Sequence, residues 1–128
     1  MDKKNCFSIS TFKQLDNIIK KRKQLNNTTI ILIKNFLIKG LGIDWLKTMI
    51  VLINKKHKNH KIFFYVDCGY DYGLSQMLIK EKIEYIKLKS NKVIINKINQ
   101  IAKKNNVLLN PDFNVVELSN IKKITNKK

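Results

Sequence analysis

The sequence predicts an α/β fold, a single layered sandwich domain with a mostly parallel sheet of four to five strands and about four helices. Three observations predict it. Apolar runs of strand length alternate with helical patterns along the chain. Two of those runs, IILI and IFFYV, are apolar on both faces, as central strands of a parallel sheet are. The segments between runs are long enough for a helix to carry the chain back for a right-handed crossover.

Each element has its own signal. CFSI (6–9) reads as a short edge strand. Thr11 opens the first helix, because T-F-K-Q has the form of a capping box with Gln14 three residues on, and Phe12, Leu15, Ile19 and Leu25 supply one apolar face. TTIILI (28–33) is the next strand, and the second helix is expected from Ile43 to about Lys56. KIFFYV (61–66) precedes a third helix from about Tyr72 to Lys82. YIKLK (85–89) alternates, so it reads as a strand near an edge with one wet face. The fourth helix follows Ser90-Asn91 and carries Ile94, Ile98 and Ile101 on one side, before VLL (107–109) and FNVVEL (113–118). Residues 1–118 are expected to form the domain and 119–128 a basic flexible tail.

A chain of 128 residues, 44% of them hydrophobic, has room for one core. No apolar run reaches membrane-spanning length and none has the form of a signal peptide, so the expectation is a cytoplasmic protein with no membrane contact. Cys6 and Cys68 have no framework spacing and read as reduced thiols. The net charge of +17 points to a polyanion such as RNA. Arg22 is the only arginine, however, so lysine makes up the other 25 of the 26 basic residues, a bias that A+T-rich codons also produce. Dedicated nucleic-acid surfaces favour arginine for its bidentate fork. Both explanations of the charge stand at this stage.

All four glycines fall in two stretches, Gly40 and Gly42 in KGLG, and Gly69 and Gly73 in DCGYDYG. Each follows a strand and precedes a helix, at the carboxyl edge where open α/β sheets bind ligands and helix N-termini attract anions. The candidate ligand site is therefore Gly40, Gly42, Asp67, Cys68, Gly69, Asp71 and Gly73, joined by Ser90 and Asn91 from the loop after YIKLK. The structural alternative is that glycine serves only the backbone of a tight turn, that Asp71 caps the third helix and that Cys68 is a small core residue.

DCGYDYG resembles the first glycine motif of methyltransferases that bind S-adenosylmethionine. Asp71 stands where that motif needs a glycine, and about 55 residues follow, too few to complete that fold. The layout from IILI through KGLGIDWLKTMI to KIFFYV resembles STAS-type regulatory domains, which implies action by protein–protein contact. The hydroxyl that such domains phosphorylate has no counterpart in Lys39-Gly40-Leu41-Gly42. The D-C-G-x-x-x-G turn is similar to that of small bacterial α/β proteins without an assigned activity, which implies the fold alone. No cofactor motif is present, so no cofactor is specified.

His57 and His60 form H-x-x-H, but a whole strand separates them from Asp67 and Cys68, roughly 17–20 Å. No metal site is expected, and both histidines read as solvated turn residues among lysines. Lys20, Lys21, Arg22 and Lys23 end the first helix, Lys55, Lys56, Lys58 and Lys61 follow the second, and Lys103 and Lys104 end the fourth. Such cations complement helix dipoles and would gather at the amino edge as a basic rim for a polyanion. No aromatic is interleaved with these runs. Trp45, Met49 and Leu52 form a second apolar stripe on helix 43–53, either packed in the core or contacting a second copy or another protein.

The expected function is a small non-catalytic binding or regulatory module, self- or partner-binding through helix 43–53, with an anionic ligand as an option at the glycine turns. RNA or ribosome association through the basic rim is the alternative. A small enzyme using Asp67 and Asp71 is the minor one.

Overall fold

The computed structural model describes residues 3–25 and 28–117. The elements run β1 (Asn5–Ile9), α1 (Phe12–Arg22) with a 3-10 turn (Lys23–Leu25), β2 (Thr29–Ile33), α2 (Asn35–Lys56), β3 (Ile62–Asp67), α3 (Tyr72–Lys80), β4 (Tyr85–Lys87), α4 (Lys92–Lys104), β5 (Leu108–Leu109) and β6 (Asn114–Glu117). The fold is α/β, as expected, with six strands in the order β5-β4-β3-β2-β1-β6, every neighbouring pair parallel. The predicted tail, 119–128, lies outside the described residues.

Two expectations need correction. β1 is not an edge strand, because it pairs with β2 on one side and with β6 on the other. Its burial reflects that position, with Cys6, Phe7, Ser8 and Ile9 all buried. The second helix begins at Asn35 rather than near Ile43, so Gly40 and Gly42 lie inside it and not in a strand-to-helix turn. Gly42, at φ 88° and ψ 171°, kinks the helix there, a conformation glycine adopts without the Cβ penalty.

The strand order determines where the helices lie. β1 to β5 are laid down in sequence as neighbours, and crossovers of one hand then place every helix on the same side of the sheet. The core agrees. Phe7, Ile9, Ile31, Ile33, Phe64, Val66 and Ile86 point to one face and pack with Leu15 and Ile19 of α1, Leu46 and Ile53 of α2, Leu78 of α3 and Ile98 of α4. The alternate residues Cys6, Ile30, Leu32, Phe63, Tyr65 and Tyr85 point to the opposite face, and among the described residues their cluster includes no helix residue, only Phe113 from the β5–β6 link.

That link also sets the shape of the sheet. β5 and β6 stand at opposite edges, five strand spacings apart, which is roughly 24 Å in a flat sheet. Asn110 and Asn114 are four residues apart in the chain and can reach only about 14 Å. The sheet must therefore curl, with the helices outside and the helix-free face inside. The same winding closes into a barrel when eight strands continue it. Phe113 plugs the curl, meeting Tyr65 edge-on at 5.5 Å and Tyr85 edge-on at 4.9 Å between ring centres.

The helix starts follow the local chemistry. Thr11 accepts from the Gln14 amide at 3.1 Å, while the Gln14 side chain reaches back to the Ser10 amide at 2.7 Å, one residue beyond the expected box. Asp71 and Asn91 cap α3 and α4 in the same way, accepting from the amides of Leu74 and Ile94, each at 2.9 Å.

The histidines are the third correction. His57 is 2% exposed and bonds through Nε2 to Asp16 Oδ1 at 2.7 Å, while Lys56 and Lys20 pair with Asp16 Oδ2. His60 is half-buried and its Nε2 lies 2.7 Å from the Thr29 hydroxyl, which also accepts from Arg22 Nε at 3.0 Å. His57 ties the end of α2 to α1, and His60 ties the link before β3 to β2, long-range roles that neighbouring lysines in the sequence conceal.

Candidate ligand-binding site

The inside of the curl is divided by Phe113 into two mouths. The carboxyl-end mouth holds a cavity of about 390 Å³ lined by Tyr65, Lys87, Lys89, Asn110, Asp112 and Phe113. β3 places Tyr65 and Asp67 on the helix-free side, and β4 places Tyr85 and Lys87 beside them through the register Tyr65↔Tyr85 and Asp67↔Lys87. Asn110 holds the rim together. Its φ of 53° turns the chain, and its side chain exchanges two hydrogen bonds with the Leu88 backbone, at 2.8 and 3.1 Å.

The charges at this mouth are sorted. Lys34, which follows β2, pairs with Glu117 at the end of β6 at 2.9 Å. Asp112 pairs with Lys3 at 3.1 Å. Asp67 accepts from the Gly69 amide at 2.9 Å. Lys87 and Lys89 have no ion-pair partner among the described residues. Two free cations therefore face an aromatic wall, in a volume that suits a small ligand. Burial pushes the Tyr65 phenol up to about 12, so the wall stays a neutral hydroxyl at neutral pH.

The predicted site residues separate on inspection. Asp67 stands in register beside Lys87 without lining the cavity, while Gly40 and Gly42 are in α2 and take no part. Cys68 is fully buried in the helix-side core, and burial pushes its thiol up to about 12, which removes it as a nucleophile or ligand. Gly69, at φ 59°, packs against the Asn35 side chain, and Asn35 in turn donates to the Asp67 carbonyl at 3.0 Å. Asp71 and Asn91 are occupied as caps, Gly73 lies in the first turn of α3, and Ser90 is exposed at the same edge. DCGYDYG is thus a packed strand-to-helix turn, and the open space lies beside it, inside the curl.

The other predicted surfaces divide as well. Met49 is 2% exposed and is taken up by the chain's own core, Trp45 packs against that core, and Leu52 is 50% exposed. The stripe therefore does not form one continuous contact surface. Lys20, Lys21 and Arg22 end α1, Lys55 and Lys56 end α2, and Lys103 and Lys104 end α4, all at the amino end, with Lys23, Lys58 and Lys61 in the links that follow. Lys20 and Lys56 are engaged by Asp16.

Reasoning from sequence missed Lys87, Lys89, Tyr65 and Phe113 as a group. The available signal was the alternation of YIKLK, which puts Tyr85, Lys87 and Lys89 on one face. Among the described residues no group of three His, Cys, Asp or Glu side chains could hold a metal ion, and no helix is long and apolar enough to cross a membrane.

No protein-family model and no curated protein matches the chain. Among solved structures, a candidate fructose-1,6-biphosphate aldolase from Coccidioides immitis superimposes with a TM-score of 0.63 at 9% identity. The match covers 84% of this chain and 44% of that one, so this chain spans less than half of its length. At that identity, the likeness shows a shared parallel β/α winding.

Proposed function

We propose that the protein is a small-molecule-binding α/β module whose ligand combines an anionic group with a planar or apolar body. The ligand would sit in the carboxyl-end mouth, its anion between Lys87 and Lys89 and its body against Tyr65 and Phe113. The observation that carries this reading is the pair of lysines that have no ion-pair partner among the described residues, beside an aromatic wall at the carboxyl ends of parallel strands where such sheets bind ligands. Two buried free thiols fit a reducing compartment, as in the cytosol.

Phenyl phosphate is a minimal probe of that chemistry, and titration calorimetry measures its binding. Lys87→Gln with Lys89→Gln is expected to weaken it by at least about ten-fold, one charged hydrogen bond contributing roughly 1.5–3 kcal/mol. Asp67→Asn is expected to strengthen it, because a negative charge near the anion is removed while the side-chain oxygen can still accept from Gly69. Weaker binding in Asp67→Asn would instead favour a role for that carboxylate in chemistry. Unchanged binding in the double lysine variant would reject the reading.

A further inference from the structure

We infer that the amino-end mouth of the curl is a contact surface for single-stranded nucleic acid, with an unstacked base against Phe63 and Tyr85 and its phosphates on Lys4 and Arg22. The cavity there measures about 350 Å³, and among the described residues no carboxylate lines it. Phe63 and Tyr85 stand edge-to-face at 6.0 Å on the helix-free side, both half-buried. Phe63 follows Lys61 by two residues, but Tyr85, Lys4 and Arg22 come from distant parts of the chain, and the curl is what brings them to one cavity with it.

Arg22, the chain's only arginine, is arranged for phosphate. Its Nε donates to the Thr29 hydroxyl and its guanidinium lies 4.7 Å over the Phe7 ring. Among the described residues nothing accepts from its terminal amino groups. A guanidinium fixed in this way offers its fork with little further loss of rotamer freedom. The ends of α1, α2 and α4 lie at the same edge of the sheet, and Lys21, Lys23, Lys55, Lys58, Lys103 and Lys104 in or just after them are exposed. A field of that sign concentrates a phosphodiester chain at the mouth. A concave cavity of this size admits a splayed base and not a duplex, and base-on-aromatic stacking with backbone cations is how single strands are held without sequence preference.

Fluorescence anisotropy of labelled ten-nucleotide oligouridylate and oligodeoxythymidylate tests this, with inorganic polyphosphate and poly-glutamate as competitors. Phe63→Leu with Tyr85→Leu is expected to weaken oligonucleotide binding at least about five-fold while leaving polyphosphate competition unchanged. Lys4→Gln, at an exposed side chain, and Arg22→Gln are each expected to flatten the salt dependence by about 0.7 in log–log slope. The ratio of the two oligonucleotide affinities then assigns the sugar. Binding that ignores both rings, a slope unmoved by Lys4→Gln, or poly-glutamate competing as well as the oligonucleotide would overturn the inference. Lys87→Gln with Lys89→Gln serves as the control at the opposite mouth, so failure there leaves this result readable.

Discussion

At the scale of single residues, the two glycines of DCGYDYG have different roles. Gly69 sits at φ 59°, and a Cβ there would stand 3.0 Å from the Asn35 amide, which cannot swing away without losing its bond to the Asp67 carbonyl. Gly69→Ala is expected to cost about 1–2 kcal/mol from the left-handed backbone alone, and more from the contact. Gly73 lies in the first turn of α3, where a Cβ would meet only ordinary contact at 3.6 Å. Gly73→Ala should be neutral or stabilising by up to about 1 kcal/mol. Urea unfolding of the two variants measures both.

Titration belongs to this scale too. The hydrogen bond from Lys56 holds the Asp16 carboxyl well below the usual carboxylate range, with His57 and Lys20 adding to it against the opposing effect of burial. A depressed carboxylate stabilises the fold above its ordinary value near 3.8, and that stability is lost as pH falls below it. His60 is shifted down from 6.5, first by burial and then by Arg22, so the unfolded chain takes up its proton earlier and stability falls below pH 6.5. Acid unfolding followed by circular dichroism should therefore show a shallow loss below 6.5 and a steep one below 3.8. Asp16→Asn should remove most of the steep phase and lower the stability at pH 7.

At the scale of elements, α2 shows what the sequence could and could not reveal. Its period of 3.6 was legible from Ile43 onward, where Leu46 and Ile53 proved to be core. Its first two turns were not, because Gly40 and Gly42 punctuate a pattern as a turn does, and here they punctuate a kink. The second stripe divides accordingly. Met49→Ala should cost about 2–5 kcal/mol as a cavity in the core, whereas Leu52→Asp should change stability by no more than about 0.5 kcal/mol. Denaturant midpoints separate the two, and equal costs would mean that Leu52 is covered. The caps at Thr11, Asp71 and Asn91 were readable because capping is local chemistry. Strand neighbours were not, since β1 and β6 meet across more than a hundred residues of chain.

At the scale of the whole molecule, both proposed sites rest on one topological fact. Among the described residues, strands wound in sequence leave one face without helices, and a four-residue link from one edge to the other forces that face inward. The apolar character of both faces of IFFYV was legible, but not that one face lies under helices and the other lines a curl. Phe113 then separates one interior into two mouths, each with cations beside aromatic rings. Lys87 and Lys89 line the cavity at one end and Arg22 the cavity at the other.

The most direct measurement is an amide NMR titration of the intact protein with phenyl phosphate. Shifts are expected at Lys87, Lys89, Asn110 and Phe113 on the carboxyl-end mouth, with the amides of α2, Gly40 and Gly42 included, unmoved. Shifts centred instead on the helix surface, or none at all, would contradict the assignment of the ligand site to the helix-free face.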